Sequence, residues 1–281
     1  MNERSSNSLA IIDSRTMLRR QLVHLVRYPS MTVLLLGIPV LLLLLFVYVF
    51  GGALGAGITA AMGGVTPDAS GSTGRAAYLD YVTPALIVMA AASAAQGTAI
   101  SVAMDVTSGI VARFRSMAIS PGSVLTGHVL GAVIQSLLCM GTLLLVAVAL
   151  GLRPGGGLRE WLSLVGILTL TAFALTWLSV ALGLVSKSVE TASNLPMFLV
   201  FLPFLGSGFV PVDSMPAGLA WFAEHQPFTP IIDTVRGLLA GQPVPSSTAW
   251  LAIAWCVAIA LLSYGWSRRL YAARAVTPSA G

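Results

Sequence analysis

The sequence predicts an all-α, polytopic membrane protein with six transmembrane helices, an amphipathic surface helix before the first and a re-entrant-like hairpin before the last. Three observations carry this expectation. Of the 281 residues, 56% are hydrophobic and only 9% charged. Several uncharged runs exceed the roughly 20 residues that cross a bilayer as helix. The basic residues are divided unevenly between alternate links, as membrane orientation demands. No internal repeat aligns the two halves, so one permanent unit is expected over 1–281: a tail and surface helix over 1–30, a six-span bundle over 31–267 and a second tail over 268–281.

The elements follow in order. Residues 9–28 read as a helix lying along the membrane surface: Leu18, Leu22 and Leu25 share one face, and Arg20, His24 and Arg27 form a polar stripe on the other. Such a helix either anchors the chain or offers a contact. Pro29 disfavours helical geometry at Tyr28 and supplies a bend. The first span covers 31–53, with Pro39 as a kink. A Gly-, Ala- and Ser-rich loop over 51–74 leads to the second span, 82–104, whose small side chains from Ala90 to Thr98 allow close backbone approach. Gln96 stands out there, either as a hydrogen-bonding tie within the bundle or as a pathway-lining group, together with Thr98 and Ser101.

The third span, 124–150, opens on Gly127 and Gly131, and the fourth, 161–185, begins at an interfacial Trp161. A short link over 186–194 carries Lys187 and Glu190. The fifth span, 195–212, is interrupted by Pro196 and Pro203. Residues 213–241 are only partly apolar. They read either as a plain loop or as two short helices dipping into the outer leaflet, the second being tolerable only if protein or water covers their unpaired backbone. The sixth span, 249–266, stops at Arg268 and Arg269.

Six crossings place both termini on one side with the links 105–122 and 186–194. That side holds eleven basic residues against four opposite (Arg75, Arg153, Arg159 and Arg236), which makes it cytosolic. Arg supplies 14 of the 15 basic residues, and the net charge of +5 reflects orientation rather than nucleic-acid binding. Cys139 and Cys256 lie in apolar runs and read as packing residues. The polar N-terminal segment and the long apolar run after it do not fit a cleavable signal.

The energetics are argued from what the spans lack. All ten acidic residues fall in links or at span ends as drawn, whereas ion-coupled carriers use ionisable groups near mid-depth. The three histidines, His24, His128 and His225, are scattered, so no metal or catalytic cluster is expected. The only lysine, Lys187, follows Ser186 and not the glycine a phosphate-binding loop requires. If the chain moves anything uphill, the energy is therefore expected to come from another subunit.

The stretch 105–122 is where delivery is expected. It sets a polar cluster between two long uncharged runs, with Ile110, Phe114 and Met117 on one face of a short helix and Arg113 and Arg115 on the other. Spacing alone leaves two readings, a charged turn that fixes topology and a docking knob for a cytosolic partner.

The chain resembles the membrane subunit of type-2 ABC exporters, the permease family that includes daunorubicin/doxorubicin resistance exporters. The resemblance rests on the surface helix before Pro29, Val49, Phe50, Gly51 and Gly52, the 109–121 link, and above all on Phe209, Val210, Pro211, Met215, Pro216, Gln226, Pro227, Phe228, Thr229, Pro230, Arg236, Gly237, Leu238 and Leu239. It departs from the family pattern at Ala118, where Pro is common, and at Gln226, where Asn is common. It implies a non-enzymatic transport subunit in a bacterial inner membrane, paired with a second permease subunit, identical or different, and with a cytosolic ATPase that carries the ATP and Mg. The cargo it implies is a hydrophobic or amphipathic compound, with a polysaccharide or lipid-linked glycan as the alternative; a non-transporting scaffold is the reading from another class. It further implies an ATPase-coupling element at Arg113, Phe114, Arg115, Ser116, Met117 and Ile119, with the surface helix at Arg19 and Arg20 as a second contact. The late stretch, with Phe209, Pro211, Met215, Pro216, Trp221, Pro227 and Arg236, would form an outer gate.

Overall fold

Helix dominates the parts that the structure, a computed structural model, describes: residues 29–53, 55, 72–107 and 121–274. The expected surface helix over 9–28, the middle of the 51–74 loop and the coupling segment with Arg113 to Ile119 lie outside the described residues, as do Arg19 and Arg20. In chain order the helices are α1 (Pro29–Leu45), which widens into a π-helical turn at Phe46–Phe50, α2 (Ser72–Thr107), α3 (Pro121–Ala149) and α4 (Leu158–Val185). The short α5 (Val189–Asn194) and α6 (Met197–Phe201) follow, then α7 (Ala217–His225), α8 (Phe228–Ala240) and α9 (Ser246–Arg274). No strand occurs among the described residues. Backbone that must satisfy its own polar groups in hydrocarbon has helix as its open-ended solution.

Five of these helices, α1, α2, α3, α4 and α9, are long and apolar enough to cross a membrane. The chain is a multi-pass membrane protein. α2 is its axis: 78% of its most apolar window is buried inside the bundle, against 22% for α1 and for α9, which leave most of their surface exposed. It touches α1, α3, α4, α5, α6 and α8. The alanine-rich stretch explains this centrality, because Ala90, Ala91, Ala92 and Ala95 are all essentially inaccessible and let neighbours approach on several sides. The tightest approach is to α4, where a Cβ on Gly183 would stand 2.6 Å from the Ala99 carbonyl oxygen and 3.0 Å from the Val102 side chain. Both obstacles belong to packed helix, so Gly183→Val forces α2 and α4 apart. The expected loss is about 1–3 kcal/mol of stability, read as a lower unfolding midpoint in detergent; an unchanged midpoint would show that the helices separate without cost.

Several expected boundaries change. α2 begins at Ser72, ten residues before the expected start at Val82, so Tyr78, Asp80 and Tyr81, between the expected loop and the expected span, are helical. Its 36 residues make a rod of about 54 Å, far longer than a hydrocarbon core of about 30 Å. The charged residues near its ends therefore marked the membrane boundary, not the helix boundary. For the same reason α9 does not stop at Arg268 and Arg269 but runs on to Arg274. The 186–194 link contains its own helix, α5, capped by Ser188, whose hydroxyl accepts the Thr191 N–H at 3.2 Å.

The expected fifth span, 195–212, is not one helix. Pro196 precedes α6, Pro203 sits in the 3₁₀ turn Leu202–Leu205, and the chain then turns back through Gly206, Ser207 and Gly208 to a second 3₁₀ turn at Val212–Ser214. Each proline removes a donor from the helical ladder, and the glycines permit the close turn that follows.

Candidate functional site

The hairpin after the broken segment is built of two helices joined by a tight turn. α8 carries Phe228, Ile231, Ile232, Val235 and Leu239 on one buried face and Asp233, Arg236 and Gly237 on the other, an amphipathic spacing that seats it on the bundle. It packs against α2, α4 and α9. Gln226 closes the joint: its backbone N–H donates to the Phe222 carbonyl at 3.0 Å, and its buried side-chain amide reaches the Thr229 hydroxyl at 3.4 Å. Thr229 in turn donates to the Ala223 carbonyl. Gln226 thus ties α7 to α8 through its amide arm. α8 ends at Gly241, whose φ of 67° takes the left-handed form that lets the Gln242 N–H return to the Gly237 carbonyl at 2.9 Å.

Breaking a span leaves carbonyls without helical partners, and in lipid each would cost several kcal/mol, on the order of 2–7. At the turn after the 3₁₀ segment, the Ser207 carbonyl is met by two side chains, Arg236 and Tyr81. Arg236 donates from Nη2 to the Ser207 carbonyl at 2.7 Å, and from Nε and Nη2 to the Tyr81 carbonyl at 3.4 and 3.3 Å. The Tyr81 carbonyl lies within α2, three residues before Pro84. Arg236 also pairs with Asp233, one turn back on α8. The guanidinium lies over the Tyr81 ring at 4.1 Å, close enough for a cation–π contribution. Tyr81 Oη donates to the Ser207 carbonyl at 2.9 Å, and Ser207 Oγ donates to Asp233 at 2.7 Å. Four groups from three separate elements, α2, the broken segment and α8, thereby form one clasp.

Next to the clasp lies an aromatic plug. Phe204 and Phe209, at either end of the turn, stack face to face with centroids 4.3 Å apart. Phe46, presented by the π-helical turn of α1, meets Phe209 at 4.9 Å and Tyr78 at 6.3 Å. The widened turn brings this ring inward, a known use of π-helical insertions near functional positions. α1 thus meets the broken segment through the Phe46 ring, which contacts Phe204 and Phe209.

The residues expected at this site are partly gathered. Phe209 is buried in the plug and Arg236 centres the clasp. Pro211 and Pro216 lead into the second 3₁₀ turn and α7, Pro227 leads into α8, and Met215 is half-buried between them. Trp221 is not part of the cluster: it is 63% exposed and stacks on His225 at 4.8 Å. Of the expected lining residues, Gln96 donates to the Ser193 carbonyl at 2.7 Å and so ties α2 to α5. Thr98 is buried and turned back on the Ala94 carbonyl at 3.3 Å, and Ser101 is half-buried one turn further on. Tyr81, Ser207, Asp233, Phe46 and Phe204 were not singled out in the sequence. Only the Asp233 and Arg236 pair, three apart on an amphipathic helix, carried a local signal.

The profile of a family described as ABC-2 type transporter matches residues 13–240. The chain is 25% identical over 240 residues to the daunorubicin resistance ABC transporter permease protein DrrB1 of Streptomyces coeruleorubidus, covering 85% of this chain and 79% of that one. It is 24% identical over 181 residues to the probable doxorubicin resistance ABC transporter permease protein DrrC of Mycobacterium tuberculosis, covering 64% of this chain and 65% of that one.

Proposed function

The chain belongs to the ABC-2 type transporter family, and from that premise we propose that it is the membrane-spanning subunit of an ATP-driven exporter of hydrophobic or amphipathic compounds, such as a drug, an antibiotic or a lipid-like molecule. ATP is bound with Mg and hydrolysed on a separate cytosolic ATPase, and a second permease subunit completes the pathway. The names of its relatives, which speak of daunorubicin and doxorubicin resistance, support that class of cargo. In this reading the broken segment completes a sixth crossing, both termini are cytosolic in a bacterial inner membrane, and the hairpin end faces outward.

The single observation that carries the mechanism is the Arg236 clasp. It joins the discontinuous segment to α2 and α8 through a few exchangeable hydrogen bonds and a cation–π contact, while Gln96 holds the preceding α5 to α2, so exchange of the clasp bonds would move the turn at Ser207 relative to α2. The broken backbone is covered by protein in the closed state, and an open state must cover it otherwise, with water or cargo. ATP-driven closure of the partner would be received on the inner face by Arg113, Phe114 and Arg115, an apolar anchor with a charged rim, and would bias the bundle between two states.

Reconstitution with the cognate ATPase tests this. Changing Arg113, Phe114 and Arg115 together to alanine is expected to abolish cargo-stimulated ATP hydrolysis while leaving the protein inserted. Undiminished stimulation in that variant, or accumulation of an anthracycline by the wild-type chain alone under a proton or sodium gradient, would refute the scheme.

A further inference from the structure

On the other side of α8 from the clasp, between α4, α8 and α9, lies a cavity of about 770 Å³. Its size falls in the range of small-molecule sites. Its frame is rigid. The Gly155 N–H donates to the Leu239 carbonyl at 2.9 Å, and a Cβ on Gly155 or Gly156 would come within 2.8 Å of the Ala240 or Leu238 carbonyl oxygen. The loop before α4 is therefore laid directly on the end of α8. The space itself is opened by Gly166, where a Cβ would meet nothing within 4 Å.

The lining changes character with depth. Arg159, Glu160 and Ser163 stand at the mouth, in the first two turns of α4, and Ile167, Leu170 and Ile253 line the interior. Neither the Arg159 nor the Glu160 side chain makes a hydrogen bond or ion pair among the described residues. From Arg159 to Leu170 the helix descends about 16 Å, half of a hydrocarbon core of about 30 Å. The cavity thus spans the depth of one leaflet, polar at headgroup level and apolar below. Its walls border membrane-facing surface, since Leu162, Val165, Trp250 and Leu251 beside it are exposed.

We propose that this cavity holds one phospholipid with an ethanolamine headgroup, its phosphate on Arg159, its ammonium on Glu160 and Ser163, and an acyl chain along Leu170 and Ile253. The adjacent opposite charges fit a zwitterion. Glu160 repels a headgroup of net negative charge, and a quaternary choline cannot donate the hydrogen bonds that a primary ammonium gives a carboxylate. This assignment stands apart from the transport reading, because the site is separated from the clasp by α8 and its readout is lipid retention.

Native mass spectrometry of the full chain, after exchange in detergent with equal amounts of phosphatidylethanolamine, phosphatidylglycerol and phosphatidylcholine, tests it. One phosphatidylethanolamine is expected per chain, retained roughly tenfold over phosphatidylglycerol, the ratio that one charge-assisted hydrogen bond supplies. Glu160→Gln should erase that preference while retaining lipid, and Arg159→Ala should weaken retention of all three. Gly166→Phe should abolish binding with an unchanged unfolding midpoint. Equal retention of the three lipids by the wild-type chain would overturn the proposal, as would retention unaltered in both Arg159→Ala and Gly166→Phe. Displacement of the lipid by doxorubicin at stoichiometric concentration would likewise overturn it and assign the cavity to cargo.

Discussion

Arg236→Met is expected to abolish export while the protein still inserts, pairs with its ATPase and hydrolyses ATP. The substitution keeps the apolar stem and removes every donor, so the Tyr81 carbonyl loses its Arg236 hydrogen bonds, the Ser207 carbonyl keeps only the Tyr81 hydroxyl, and Asp233 keeps only the Ser207 hydroxyl. A carboxylate stripped of its cation in a site closed to water is strongly destabilising, but the Asp233 side chain is 36% exposed and that of Arg236 20%, so solvent screens part of the loss. About 1–3 kcal/mol is the expected destabilisation of the closed clasp. This is enough to shift a two-state equilibrium by roughly five- to 150-fold towards the open form. Arg236→Lys cannot reach two carbonyls and a carboxylate with a planar fork, so it should recover little. The double variant Arg236→Met with Asp233→Asn should recover part of the stability, since it removes the orphaned charge as well, but not the hold on Ser207. The measurements are anthracycline efflux and ATPase rate in the same proteoliposomes; normal efflux by Arg236→Met would exclude the clasp as a gate.

How far this arrangement was legible in the sequence depends on the range of the interaction. The buried face of α8 is written in its own spacing, Phe228, Ile231, Ile232, Val235 and Leu239, so two short helices between the last two apolar stretches could be expected. The helical run of α2 before Val82 was hidden because Arg75 and Asp80 look like span ends, although a helix can project well beyond the hydrocarbon. Pro196 and Pro203 announced that the fifth apolar run was interrupted, but hydropathy does not say what satisfies the carbonyls that an interruption frees. The answer lies 126 positions away, at Tyr81, and no local pattern joins the two. The same holds for Phe46: nothing in an apolar run announces a π-helical turn that aims one ring at Phe209. Gln96 was legible only as either a bundle tie or a pathway-lining group, and its bond to Ser193 has the form of a tie.

Gly208 tests whether the turn must lie flat on α2 for the plug to form. Its backbone φ is outside the left-handed region, so any requirement for glycine is one of space. A Cβ there would stand 2.7 Å from the Ala85 Cβ and 2.7 Å from the Pro203 carbonyl oxygen. Neither neighbour is the end of a flexible side chain. Gly208→Ala must therefore lift the turn from α2, which draws Phe209 out of its stack with Phe204 and lengthens the Tyr81 bond to Ser207. Overpacking of this kind costs about 1–3 kcal/mol, and the loss of the ring stack adds about 0.5–1.5 kcal/mol. Together these effects should lower the unfolding midpoint and leave export weak while ATP hydrolysis continues. Ala85→Gly in the same chain removes one of the two obstacles and should restore part of both quantities. Contact sites of this kind are non-additive, and the sign of the coupling is the informative result. If the double variant is as impaired as the sum of the two single ones, the turn does not rest on α2 at this point, and the clasp must act through Arg236 without the plug.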